Sequence, residues 1–149
     1  MSIIAKNKKA GFLYEFIEKF EVGIVLKGTE VKSLRNRKVT INDGYAKFRN
    51  NEMYVIGINI SPYEQGNLQN HEPTRDRKLL LHKREIKRLI SKVQTKGLTV
   101  IPTSLYFNKR GIAKLELGLG RGKSKVDKRE KIKKRTVERD IRREMLGKR

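Results

Sequence analysis

Residues 98–119 read Leu-Thr-Val-Ile-Pro-Thr-Ser-Leu-Tyr-Phe-Asn-Lys-Arg-Gly-Ile-Ala-Lys-Leu-Glu-Leu-Gly-Leu, and this stretch decides the fold class. Leu98 to Phe107 and Ile112 to Leu119 flank Asn108-Lys109-Arg110-Gly111, a turn-forming quartet. In the second arm Ala113, Leu115, Leu117 and Leu119 share one face, while Lys114 and Glu116 take the other. Period-2 alternation around a polar turn is the pattern of a half-buried antiparallel hairpin.

Working outward, the same signal recurs. Tyr45–Arg49 and Glu52–Ile60 flank Asn50-Asn51, a pair that tolerates positive φ and suits a tight hairpin. Strict alternation in the second arm predicts Tyr54, Ile56, Ile58 and Ile60 on one face. Val22 to Leu26 is a short apolar strand ending before Gly28. Two helices interrupt the strands. Lys83 to Lys96 stripes Ile86, Leu89, Ile90 and Val93, with Gly97 as its stop. A shorter one starts at Thr29 as N-cap and runs to Arg35. Several short strands, turn signals and small helices point to a mainly β chain folded as a compact antiparallel barrel of the oligonucleotide-binding type, with about three short flanking helices.

Charge is the loudest feature of composition. The 149 residues hold 37 Lys and Arg against 16 Asp and Glu, a formal charge of +21. Such a body repels itself unless a polyanion neutralises it, and phosphate neutralisation releases counterions. Nucleic acid is therefore favoured over an anionic membrane, because no basic face is paired with a broad Trp- or Phe-rich one. Cysteine is absent, which excludes disulfides, thiolate metal sites and cysteine nucleophiles. No stretch has the apolar length of a signal peptide or membrane span, so a soluble, cytoplasmic protein is expected.

Residues 120–149 carry 14 of the basic and 5 of the acidic residues with few apolar ones. This divides the chain into a body, residues 1–119, and a tail, 120–149, expected to be disordered when free. Ile132, Val137, Ile141 and Met145 nonetheless fall near one helical stripe, and Glu138 to Arg142 is a favourable four-residue pair. The tail is thus expected to become helical on a phosphate-lined surface.

Candidate chemistry is sparse. Gly118 to Ser124 resembles a phosphate loop, but Leu117 stands where a Walker A loop needs its first glycine. A flexible hinge is the better reading there. His71 and His82 lack a supporting cluster, so both are read as structural, with an end-capping role for His82 ahead of the helix. Glu21, Glu30 and Asp43 could hold Mg²⁺ in a nuclease, or pair with the abundant Lys and Arg, or accept hydrogen bonds from RNA. Pro73-Thr74-Arg75-Asp76-Arg77-Lys78 offers two arginines suited to forked phosphate contacts, ahead of an apolar run that enters the next helix.

Three ordered motifs resemble one family. Residues 21–35, Glu-Val-Gly-Ile-Val-Leu-Lys-Gly-Thr-Glu-Val-Lys-Ser-Leu-Arg, are similar to the E-A-G-I-x-L-x-G-x-E-V-K-S-L-R signature of the SsrA-binding (small protein B) family. Pro73 to Leu81 matches its P-T-R-x-R-K-L-L-L, and Gly122-Lys123 with Asp127-Lys128-Arg129 resembles the start of its tail. The resemblance implies a non-enzymatic, cofactor-free RNA-binding protein, monomeric when free. Its partners would be the tRNA-like domain of transfer-messenger RNA and the ribosome, with the tail in the message path below the decoding site. The implied RNA-binding residues are Glu21, Lys32, Arg35, Arg75, Arg77, Lys78, Leu80 and Lys114. Gly122 would be the hinge, with Lys123, Asp127, Lys128, Arg129 and Ile132 facing the ribosome. The chain departs from the family where Phe12-Leu13-Tyr14 replaces a usual His, and where Val137 replaces the Trp of some members.

Overall fold

The computed structural model describes residues 2–65 and 70–123, which form a mainly β body with three helices. The elements run β1 (Ser2–Lys6), α1 (Ala10–Leu13), β2 (Tyr14–Ile24), α2 (Gly28–Arg35), β3 (Val39–Thr40), β4 (Tyr45–Arg49) and β5 (Glu52–Ile56). They continue with β6 (Asn59–Ile60), β7 (Arg77–Leu80), α3 (Lys83–Lys96), β8 (Thr99–Phe107) and β9 (Ala113–Gly122). Seven strands pair antiparallel in the order β1-β8-β9-β2-β7-β5-β4, and β3 pairs with β6. The sheet curls so that β4 also packs against β8.

The hairpin that opens the sequence reading is β8–β9, and its second arm buries the expected face. Leu115, Leu117 and Leu119 have no exposed surface and join Ile41, Met53, Val55, Ile58, Leu79, Leu89 and Leu105 in one core. Helix α3 occupies the predicted bounds and ends on Gly97 in the left-handed conformation. Its Ile86 and Leu89 are buried, while Ile90 and Val93 pack at the margin. Arg88 and Lys92 pin its outer side to Glu18 on β2, at 2.8 and 3.4 Å. The guanidinium and ammonium bonds hold the Glu18 carboxyl below its usual range against a smaller burial effect.

Four local readings are corrected by the structure. In β5 it is Met53 and Val55 that point inward, with Tyr54 and Ile56 half-buried. Gly57 sits at φ +80°, which breaks the alternation and turns Ile58 and Ile60 into the core. The turn itself is as expected, with Asn50 and Asn51 both at positive φ. The N-cap of helix α2 lies two residues earlier than expected: it is Lys27, whose backbone N–H donates to Glu30 Oε1 at 2.8 Å. Thr29 instead donates to His71. His82 occupies the N-cap of α3 with no side-chain capping bond. The apolar run after Arg77 forms strand β7 before the chain reaches α3.

Residues 118–122 are strand, not hinge. β2 runs Tyr14–Ile24 where the sequence predicts only Val22 to Leu26, and a bulge near Ile17 carries it across β9. There a Cβ on Gly120 would sit 2.3 Å from the Glu15 carbonyl oxygen, and one on Gly118 would meet the Phe16 ring at 2.5 Å. These glycines permit the crossing. Gly120→Ala should therefore cost about 2–3 kcal/mol, since backbone must move rather than a side-chain tip. Thermal or urea denaturation checks this; an unchanged midpoint would mean that the crossing is looser than described.

The chain is also fastened just beyond β9. Lys123 donates from its backbone N to Leu13 O and from Nζ to Gly11 O, both at 2.8 Å. Asp127, Lys128, Arg129 and Ile132 lie outside the described residues, as does the helical stripe Ile132, Val137, Ile141 and Met145.

Candidate nucleic-acid interface

Cross-strand register assembles the site on the solvent face of the sheet. One row runs Ile3–Tyr106–Lys114–Gly23–Leu80 across β1, β8, β9, β2 and β7. The adjacent row runs Lys6–Ser104–Glu116–Glu21. Glu21, Leu80 and Lys114, which lie far apart in sequence, thus meet on one surface. The period of two that buries Leu115 and Leu79 necessarily presents Lys114 and Leu80 outward. Leu80 is 55% exposed, an apolar side chain in open view. Gly23 makes room for it: a Cβ there would lie 3.2 Å from Leu80 Cβ.

Glu21 is not loose. The nearly buried Tyr106 donates its hydroxyl to Glu21 Oε2 in a short hydrogen bond. Burial and then the Glu21 hydrogen bond push the Tyr106 phenol up, so it stays a donor. Directly across the β2–β9 ladder, Glu116 accepts from Thr103 Oγ1 at 2.7 Å. Each of the two facing carboxylates is therefore held by its own hydroxyl, which keeps both on a face of otherwise positive character.

Along β7 the face continues. Lys78 points the same way as Leu80 and pairs with Glu52 at 3.0 Å; Glu52, through hydrogen bond and charge, holds the ammonium pKa up. Beside it Arg49 lies 4.9 Å from the Tyr54 ring centroid and bonds Asp76 at 2.7 Å. The helical candidates sit on a different element: Lys32 and Arg35 are exposed on α2, with Lys32 Nζ 5.4 Å over the Tyr63 ring.

Of the two arginines of residues 73–78, Arg77 does not have the expected role. Arg77 has no exposed surface. Its Nε donates to Glu30 Oε2 at 2.5 Å, and its terminal nitrogens donate to Ile58 O at 2.9 Å and Pro73 O at 3.0 Å. No fork remains for phosphate. Arg75 donates Nε and one terminal N to the two Glu30 oxygens, at 3.1 and 2.5 Å, and bonds Val25 O at 3.2 Å. Burial pushes the Glu30 carboxyl up, but hydrogen bonds from Arg75, the Lys27 N–H and Arg77 outweigh it and hold the group low. These arginines fasten α2 to the loop before β7.

The other carboxylates raised as Mg²⁺ ligands are spread apart in role: Glu21 accepts from Tyr106, and Asp43 pairs with Lys9 at 3.1 Å. Among the described residues no group of three His, Asp or Glu could hold a metal. His71 is buried, accepting from Thr29 Oγ1 and donating Nε2–H to Ile60 O, both at 2.9 Å; this network assigns the Nε2–H tautomer. Both contacts match the structural reading of that residue.

Sequence reasoning missed Tyr106, Phe16 and Lys19. Phe16 stacks with Tyr14 at 6.2 Å and lies under Lys19 Nζ at 5.5 Å, on the same face as Glu116. Tyr106 had a signal available, since alternation places it opposite Leu105 and hence outward. The bulge near Ile17 leaves no such signal for Phe16.

Similarity to known proteins points to the same chemistry. The family model "SmpB protein" matches residues 4–147. The chain is 56% identical over 141 residues to the SsrA-binding protein of Pseudothermotoga lettingae, covering 95% of each chain. It is 50% identical over 147 residues to that of Thermosipho melanesiensis, covering 99% of this chain and all of the relative. A solved structure described as "tmRNA-SmpB: a journey to the center of the bacterial ribosome" superposes with a TM-score of 0.68 at 49% identity, covering 86% of this chain and 93% of that one.

Proposed function

This chain belongs to the SmpB protein family, and from that premise we propose that it binds the tRNA-like domain of transfer-messenger RNA through the Glu21–Lys114–Leu80 face and delivers that RNA to stalled ribosomes. The relatives are named as SsrA-binding proteins, and the solved structure pairs transfer-messenger RNA with SmpB at the bacterial ribosome. The protein contributes no chemical step; it works by recognition. Among the described residues no helix is long and apolar enough to cross a membrane, in keeping with work on cytoplasmic ribosomes.

The observation that supports this face is its register. An acceptor fixed by Tyr106, a cation and an exposed leucine lie side by side on neighbouring strands. In RNA terms Glu21 accepts from a base edge or 2′-hydroxyl, Leu80 lies against a base or sugar, and Lys114 meets phosphate. Lys78 and the exposed Lys32 and Arg35 add to the field that draws the RNA in. Lys123 is pinned to α1, and the tail beyond it, residues 124–149, is proposed to enter the empty message path.

Gel-shift titration against transfer-messenger RNA and an unrelated structured RNA, each at several salt concentrations, tests the reading. Both affinities should fall with salt, by about 0.7–0.9 log units per log unit of salt for each phosphate neutralised. The preference for transfer-messenger RNA should survive. Equal binding that collapses together would mark a generic basic protein.

A further inference from the structure

Beside the proposed face lies an open cleft of about 410 Å³ whose walls include Ile3, Lys6, Phe16, Lys19, Tyr106 and Glu116. This is within the size range, about 300–1,000 Å³, of small-ligand sites. We propose that it receives one unpaired guanine of the bound RNA, and that Glu116 reads the base; the proposal rests on the RNA-binding reading above.

Three features carry it. First, the acceptor is positioned. The ladder is irregular between Pro102 and Ser104, and the nearly buried Thr103 there donates its hydroxyl to Glu116 Oε1 at 2.7 Å. A carboxylate only accepts hydrogen bonds. On its Watson–Crick edge guanine alone offers two adjacent donors, N1–H and the N2 amino group. Adenine and cytosine place a ring-nitrogen acceptor beside their amino group, and uracil has one donor between two carbonyls. A fixed carboxylate therefore selects guanine among unpaired bases.

Second, the walls suit a base and its phosphate. Phe16 and Ile3 are apolar surfaces against which a base plane can lie, and base–aromatic contact stabilises by about 1–3 kcal/mol. Lys6 and Lys19 stand at the same cleft. The bulge between Ile3 and Ala5 lets Ile3 and Lys6 share this face even though they are three residues apart. Third, the cleft is continuous with the proposed interface. Tyr106 belongs to both, and Glu116 faces Glu21 directly across the ladder. An RNA strand held at Lys114 and Glu21 runs past its mouth.

The test uses the full chain and transfer-messenger RNA lightly treated with kethoxal, which caps N1 and N2 of unpaired guanines. Bound and free RNA are separated and the modified positions mapped. With the native protein, RNA capped at one guanine should be depleted from the bound fraction by at least about tenfold, the factor for losing a charge-assisted hydrogen-bond pair. Glu116→Gln, which places an amide where the second acceptor stood, should reduce that depletion to about twofold or less. Thr103→Val, which frees the carboxylate but keeps its charge, should reduce it in part; both variants should melt like the native protein.

Depletion at no guanine, or depletion untouched by Glu116→Gln, would overturn the pocket. So would a uniform loss of binding in which capped and uncapped RNA suffer alike. If the native protein shows no preference for transfer-messenger RNA over an unrelated RNA, the underlying RNA-binding reading fails as well. A retained preference without a guanine effect removes the pocket alone.

Discussion

Glu30→Gln should lower stability by about 3–5 kcal/mol, the usual cost of removing one partner from a buried ion pair. The reason is the fate of Arg77. Its guanidinium has no exposed surface, and without Glu30 it keeps only the carbonyls of Ile58, Glu72, Pro73 and Arg75. Arg75, with 22% of its side chain exposed, can turn to water; Arg77 cannot. For a folded body of this size that loss moves the melting midpoint down by about 10–20 °C. Arg77→Lys should lose nearly as much, because an ammonium cannot make the forked contacts. The salt dependence of RNA binding should be unchanged in the folded fraction. A phosphate-contacting arginine would instead lower the slope by about one when removed. A stable Arg77→Gln protein with a reduced slope would restore the forked-phosphate role.

Acid titration separates the same network by sign. The folded Glu30 carboxyl is held below the usual glutamate value by Arg75, the Lys27 N–H and Arg77, despite burial. A group with a depressed folded value binds its proton more weakly than in the unfolded chain. Its contribution is therefore fully present above the unfolded value of about 4.3, and drains away as pH falls toward the folded value. Glu30→Gln should flatten that part of the stability profile. A residual slope should remain from Glu18, which Arg88 and Lys92 also hold low.

What the sequence made legible follows from what is local. The β8–β9 hairpin, the Asn50-Asn51 turn and α3 are each specified by neighbours within a few residues, by alternation, positive-φ tolerance or a helical stripe. The failures are non-local. Whether Arg77 faces RNA or core is decided by Glu30, 47 residues earlier in the chain. No spacing rule reveals that a run of basic residues will fold its middle member inward. Alternation alone does not reveal the inward face of β5, because one glycine at φ +80° reverses it after Ile56. The glycines of residues 118–122 look like a loop from composition, yet they are strand because β2 crosses within van der Waals distance. The site divides the same way. Glu21, Leu80 and Lys114 came from the family motif, and register then put them on one face. Tyr106 and Thr103, which hold the two carboxylates, belong to no motif; only the ladder and its bulge bring them into place.

Leu80→Asp should weaken transfer-messenger RNA binding by about a hundredfold. Leu80 is 55% exposed, so its large apolar surface has no folding role that would require it there. Covering that surface with a base or sugar contributes about 1–2 kcal/mol, and a carboxylate facing phosphates adds repulsion of about 1 kcal/mol. Together these make about 2.7 kcal/mol, or two powers of ten. Stability should change by less than about 0.5 kcal/mol, as for exposed sites generally. Lys114→Ala, one position away across the Gly23 gap, acts through charge instead. It should lower affinity for every RNA alike and reduce the salt slope by about one. The two variants separate recognition from attraction. Loss of preference for transfer-messenger RNA in Leu80→Asp, with preference kept in Lys114→Ala, locates shape recognition at the β7 edge of the row. If both variants bind as the native protein does, the RNA lies on another face, and the exposed Lys32 and Arg35 of α2 become the first place to look.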